Sequence, residues 1–186
     1  MFVYIPSKVE SKIIIIDTEY SEQNIIQFSA LLLEKTNFND EIYQLVSSAN
    51  VYIKPEKPIS YWTTQYTGLT TKFLNENGLS KEEFHDFLRK FLLTVDNDTV
   101  IVAHGVRNDL KVLQNVGIDF QCKVECTLEM SRKILKREKN LKLVDIAEAS
   151  GMILNFAHNS YSDALATLSV YSFLKTLEKE EHKWNF

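Results

Sequence analysis

The run Ile13-Ile14-Ile15-Ile16 is β-branched throughout and bounded by charged residues, which predicts a strand covered on both faces near the centre of a sheet. It ends in Asp17-Thr18-Glu19. Two further strands are predicted over 25–34 and 42–54, close enough in sequence to form an antiparallel meander that Pro55 and Pro58 stop. From Ser80 the period changes. Ser80 and Glu83 have capping-box spacing, and Phe84, Phe87, Leu88 and Phe91 fall at i, i+3, i+4 and i+7 on one face of a core helix. A short apolar run over 99–103 precedes a helical period through Leu110, Leu113 and Val116, which Gly117 can end. A short strand around Val124 and helices over 127–136, 141–149 and from about 160 to 178 complete the pattern. Three strands in succession, then strands alternating with helices, predict an α/β fold with a partly antiparallel sheet.

Composition narrows the class. The 186 residues are 45% hydrophobic and 25% charged with five Gly and three Pro, which fits one packed domain over 1–186 and excludes a disordered or linker-rich chain. The charged end, 177–186, is expected to be a helix terminus running into a mobile tail. Two cysteines, Cys122 and Cys126, are too few for a disulfide framework, which points to a reduced, cytoplasmic setting. The first apolar stretch breaks at Pro6-Ser7-Lys8, unlike a secretory signal, and no run approaches the roughly 18 apolar residues of a membrane span. Twenty-one basic against 25 acidic residues give a net charge of -4, so binding to nucleic acid through bulk basicity is excluded.

Three acidic elements carry the candidate chemistry. Asp17 and Glu19 alternate onto one face at a strand end, where a divalent cation, Mg²⁺ first, would offset their repulsion; the alternative is a strand simply meeting solvent. Asp109 follows His104-Gly105-Val-Arg-Asn108 at a helix start, where Asn108 or Asp109 could equally cap the helix or ease its dipole. His158 and Asp163 open the last helix, and Ser160-x-x-Asp163 also has the spacing of a capping box.

The conjunction is more specific than its parts. A strand-borne Asp-x-Glu, a helix-start Asp about 90 residues on and a His-x4-Asp-Ala about 50 residues later resemble the DnaQ-like 3′ to 5′ exonucleases, in the branch with a histidine in its last motif. Ile25-Ile-Gln-Phe-Ser-Ala30, Ile53-Lys-Pro55, Thr67-Gly-Leu-Thr70 and Leu141-Lys-Leu-Val-Asp-Ile-Ala147 support the likeness, which runs from Ile13 to about Leu174. The resemblance implies an RNase H-like mixed five-stranded β-sheet flanked by α-helices. It implies that Asp17, Glu19, Asp109 and Asp163 bind two divalent ions, Mg²⁺ or Mn²⁺, with His158 as general base. The expected substrate is the 3′ end of single-stranded DNA or RNA, with nucleoside 5′-monophosphates as product. Thr18, Tyr20, His104, Gly68 and Leu69 are the expected substrate contacts.

Three departures bear on this. Tyr20-Ser21-Glu22 replaces the Thr and Gly that commonly follow the first motif, His104-Gly105 and Asn108 alter the second, and Glu125-Cys126-Thr127 stands where an Asp-Thr pair is common. Two features lie outside the motifs. Residues 132–142 hold six basic residues against one acidic, which suits either a solvated helix end or a phosphate track. Tyr61-Trp62 and Tyr66 suit either a core or the stacking of unpaired bases. Besides a stand-alone enzyme, a proofreading subunit bound to a polymerase and a catalytically weak binding module remain open, as does self-association.

Overall fold

A computed structural model describes residues 1–6, 11–136, 141–153 and 158–184, with side chains described up to residue 180. The strands are β1 (Phe2–Tyr4), β2 (Lys12–Ser21), β3 (Asn24–Lys35), β4 (Ile42–Tyr52), β5 (Thr99–Ala103) and β6 (Lys123–Cys126). The helices are α1 (Tyr61–Thr67), α2 (Thr71–Asn77), α3 (Lys81–Leu92), α4 (Arg107–Gln114), α5 (Thr127–Leu135), α6 (Leu143–Ala149) and α7 (Ser160–Trp184). The strands form one sheet in the order β1-β4-β3-β2-β5-β6. β1 to β4 pair antiparallel, and β5 and β6 run parallel to β2.

The sheet has six strands rather than the expected five, because Phe2–Tyr4 adds to the open edge of β4 with Phe2 opposite Gln44 and Tyr4 opposite Ile42. Three residues at an edge leave no periodicity to read. The last helix continues to Trp184, and of the residues expected in a tail, 185 and 186 lie outside the described ones.

β2 is central, and its four isoleucines are fully buried because each face has its own cover. Ile14 and Ile16 pack with Phe84 and Leu88 of α3 and Val112 and Leu113 of α4. Ile13 and Ile15 pack with Ala164, Leu168 and Tyr171 of α7. Such burial contributes roughly 1.5–3 kcal/mol per side chain. The helical face anticipated at Phe84, Phe87 and Phe91 meets Phe28 of β3, with ring centroids 6.1, 6.0 and 5.6 Å away. The capping box of Ser80 and Glu83 is formed. On the other face, Glu125 of β6 accepts from Tyr171 at 2.8 Å and pairs with the buried Lys175 at 3.0 Å, fastening α7 to the parallel edge.

Two short helices, α1 and α2, fill the connection from β4 to α3, a stretch without elements in the sequence reading. Ser60 caps α1 through Thr63, and Gly68 ends it in the left-handed conformation at φ 74°. Gly78, after α2, is required for a different reason: a Cβ there would lie 2.5 Å from the Leu74 carbonyl oxygen and 2.7 Å from the Lys54 nitrogen. This close approach lets Leu79 bridge to Ile53. Since both opposing atoms are backbone, Gly78→Ala is expected to destabilise by about 2 kcal/mol. Thermal denaturation should show a midpoint roughly 4–8 °C lower, and an unchanged midpoint would contradict the packing.

Candidate active site

The side-chain alternation that buries both faces of β2 continues past the isoleucines. Asp17 and Glu19 fall on the α7 face with Ile13 and Ile15, while Thr18 falls with Ile14 and Ile16 on the α4 face. There the backbone N–H and the hydroxyl of Thr18 both donate to Oδ1 of Asp109, at 2.9 and 2.7 Å. Asp109 is buried in the first turn of α4, which has no side-chain cap, and its carboxylate is held by the strand as well as by its own N–H at the helix start. The register shifts just after Glu19, between Glu19 and Tyr20, a bulge of the kind that re-aims side chains beside functional sites.

α7 begins at the same place because β3 supplies polar seats for it. Ser29 lies opposite Asp17 and Gln27 opposite Glu19. Gln27 Nε2 and Ser29 Oγ donate to Asn50 Oδ1 at 2.9 and 3.2 Å, which leaves Ser29 Oγ to accept from Ser160 Oγ at 2.7 Å. Gln27 Oε1 accepts from the Ser160 N–H at 3.3 Å. Ser160 is thus a docking residue and Asn159 caps the helix, its Oδ1 accepting from the Ser162 N–H at 3.3 Å. Asp163 takes the His158 N–H on Oδ2 at 3.1 Å, while its Oδ1 is buried without a hydrogen-bond partner.

The carboxyl groups are therefore close enough to act on one another, Asp17, Glu19 and Asp163 in the cleft and Asp109 on the α4 face. Burial first, then the charges of Asp163 and Asp109, push Glu19 up to about 8. Burial pushes Asp109 to about 7 against the lowering effect of the Thr18 donors, and Asp163 to about 6. Asp17 lies well above the usual carboxylate range, from burial and then the charges of Asp109, Asp163 and Glu19. These residues fit a divalent cation. Ligand atoms of Glu19, His158 and Asp163 lie within 4.8 Å of one another, and the orphaned Asp163 Oδ1 is an acceptor awaiting a positive partner.

His158 adopts φ 66° and its ring lies on that of Tyr66, centroids 3.6 Å apart at 30°. Burial, and then Lys142, lower its pKa below 6.5, so it is neutral at neutral pH. Above the floor are two recesses, of about 500 and 460 Å³. Thr18 and Tyr20 line the first and His104 the second. His104 is fully engaged: Nε2 donates to the Leu141 carbonyl at 3.2 Å, leaving Nδ1 to accept from the Thr127 hydroxyl at 2.9 Å. Gly68 and Leu69 line neither recess. Gly68 ends α1, and Leu69 packs with Ile26 and Leu74 in a small core. Of the basic segment, Arg132 is felt by His104 and Lys142 by His158, whereas Arg137, Glu138 and Lys139 lie outside the described residues.

Sequence reasoning missed the Tyr66–His158 stack and the separate place of Lys142 beside the acids. The cap pair Ser60 and Gly68 was the available signal for α1, and hence for the face that Tyr66 occupies.

The exonuclease family model RNase_T matches residues 14–171. The chain belongs to this exonuclease family. Its relatives are DnaQ-like enzymes of the RNase H-like superfamily, and the sheet has that mixed α/β layout. A PolC-type DNA polymerase III of Caldanaerobacter subterraneus is 29% identical over 77% of this chain and 11% of the relative. The 3′-5′ exonuclease DinG of Bacillus subtilis is 26% identical over 91% of the chain and 18% of its own length. E. coli exonuclease I in complex with a dA16 oligonucleotide superposes with a TM-score of 0.74 at 17% identity, over 94% of this chain and 43% of that one. A 3′-exonuclease whose structure describes recognition of the histone mRNA stem-loop gives 0.70 at 17% identity, over 93% and 84%. The chain thus spans about a tenth of the PolC-type relatives and under half of exonuclease I. Among the described residues no helix is long and apolar enough to cross a membrane.

For this exonuclease-family chain the raised carboxyl groups set a pH dependence. Between the ordinary values of 3.8 to 4.5 and the folded values of about 6 to 8, the folded state holds more protons than the unfolded state. Stability of the metal-free protein therefore falls as pH rises through that window. Thermal melts in EDTA from pH 5 to 8 should show this fall, and the upward shift produced by Mg²⁺ or Mn²⁺ should grow over the same range. Glu19→Gln with Asp163→Asn should flatten both trends; a metal effect independent of pH and of these residues would contradict the assignment.

Proposed function

We propose that the chain is a 3′ to 5′ exonuclease that requires divalent metal ions, hydrolyses the last phosphodiester of single-stranded DNA or RNA and releases nucleoside 5′-monophosphates. The observation that carries this reading is the convergence of Asp17, Glu19 and Asp163 with a neutral His158 in one cleft, with Asp109 close enough for its charge to act on Asp17 and Glu19, in a chain of the exonuclease family. Asp17, Glu19 and Asp163 would hold one ion, and Asp17 with Asp109 a second, Mg²⁺ being suited to an all-oxygen set and Mn²⁺ able to replace it. Bound there, the ions supply stabilisation of the attacking and leaving oxygens of an in-line displacement.

The rest falls to the protein's own groups. His158, kept neutral by burial, accepts the proton of the attacking water. Its position is set from two sides, by the Tyr66 ring and by its backbone bond to Asp163. Thr18 acts from below: its two donors aim Asp109 from the opposite face of the sheet and keep part of that carboxylate's charge satisfied. A second reading, an exonuclease unit working with a DNA polymerase, is supported by the PolC-type relatives. A primer extension assay with a mismatched 3′ end, with and without polymerase, separates the two.

Purified protein with Mg²⁺ or Mn²⁺ should shorten a 5′-labelled single-stranded oligonucleotide stepwise from its 3′ end, and EDTA should stop it. Asp17→Asn and His158→Ala should each lower kcat by about 100-fold or more while the circular dichroism spectrum stays native. Undiminished digestion by either variant would overturn the reading.

A further inference from the structure

The two recesses of the cleft share a floor and differ in chemistry. Asp17, Tyr66, His158 and Asp163 belong to both, so the stacked Tyr66–His158 pair stands as a ridge between them. On one side is α1, a helix that buries none of its residues. It presents Trp62 at the lip, 78% exposed, with Tyr61 edge-on to it at 5.6 Å. A large apolar ring left in water on a helix that contributes nothing to the core is not explained by packing, and its flat face suits another π-system.

On the other side the wall is made by His104, Lys142, Leu143 and Val144. His104 has both ring nitrogens engaged and offers nothing to a ligand. Lys142 is different. It is exposed, no carboxylate among the described residues pairs with it, and it is the cation in this wall. A lone ammonium facing a recess floored by carboxylates would ordinarily be drawn into a salt bridge. Among the described residues it has no such partner, which leaves it available to an anion.

We infer that a nucleic acid strand crosses the Tyr66–His158 ridge, with the face of an unpaired base stacked on Trp62 in one recess and a phosphate adjoining the scissile one held by Lys142 in the other. The inference rests on the proposed exonuclease reading and deepens it by naming how the strand is held. It also defines the substrate class, because the face of a base inside a duplex is covered by its neighbours and is closed to Trp62. Stacking of this kind tolerates any base, and a single phosphate contact adds salt dependence without sequence preference.

Binding without turnover tests the inference separately from activity. Affinity of the whole protein for a fluorescein-labelled single-stranded oligonucleotide, and for the same oligonucleotide in a blunt duplex, is measured in Ca²⁺ over a range of NaCl concentrations. Trp62→Ala should weaken single-strand binding about tenfold with an unchanged salt slope, and Trp62→Phe should restore most of it. Lys142→Gln should reduce the slope of log K against log salt by about 0.7, the value for one phosphate on a single strand. Tryptophan fluorescence should be quenched by the oligonucleotide in the native protein and less so in Trp62→Phe. Unchanged affinity in Trp62→Ala, an unchanged slope in Lys142→Gln, or equal losses for duplex and single strand would overturn the inference. Intact binding effects in a protein that digests nothing would instead sink the exonuclease reading and leave the strand path standing.

Discussion

Four carboxyl groups crowd the end of β2, three in the cleft and Asp109 on the α4 face, and they repel one another; the surrounding structure is organised around that repulsion. Two like charges about 4 Å apart oppose each other by about 4 kcal/mol at the effective dielectric of a protein interior near its surface. Among the described residues no basic side chain forms a salt bridge with any of the four, and Lys142 only lines the wall of a neighbouring recess. The lysine that reaches the inner face of the sheet, Lys175, is paired with Glu125 some distance along α7. The stability that tolerates the crowding comes from elsewhere, chiefly from the fully buried isoleucines of β2 and the aromatic cluster on Phe28. A divalent cation bound there would offset the repulsion, in competition with the protons that the raised carboxyl groups hold.

The fold delivers these groups with little freedom. One strand provides Asp17 and Glu19 on one face and, between them, Thr18 on the other, so a three-residue motif reaches α7 and α4 at once. The start of α7 is then fixed by uncharged hydrogen bonds through Gln27, Ser29, Asn50 and Ser160. That choice is electrostatically sensible: a charged clamp at this spot would alter the carboxylates it is meant to position. With Ser160 seated, His158 and Asp163 lie two residues before it and three after, joined by the His158 N–H bond to Asp163.

Much of this was legible in the sequence because strong periodicity reports burial. The isoleucine run, the phenylalanine face of α3 and the acidic motifs each carry a pattern that survives without tertiary context. What was not legible is what context alone decides. β1 exists because β4 leaves an open edge, and three residues encode no period. α1 and α2 bury at most one residue each and so carry no apolar stripe, although Ser60, Gly68 and Thr70 marked their ends. Local spacing also offered an alternative at two acids: a helix-start position allowed a cap for Asp109, and Ser160-x-x-Asp163 allowed a capping box. The structure instead has Thr18, distant in sequence, donating to Asp109, and Asn159, one position before Ser160, accepting from the Ser162 N–H.

The net charge of -4 acquires a different meaning once the charges have places. An acidic protein does not attract a polyanion from a distance, since exposed charges are screened beyond roughly 10 Å at moderate salt. Attraction has to be local, and on the proposed reading the cleft has the means for it: two divalent ions would neutralise the four carboxylates and leave open coordination positions for phosphate oxygens, and Lys142 lines the adjoining recess. The repulsive and attractive elements thus occupy one site, and which of them dominates depends on whether metal is bound. If the proposed function holds, loading with metal precedes productive capture of a phosphodiester, and the acidity that seemed to argue against nucleic acid would make its capture conditional on metal.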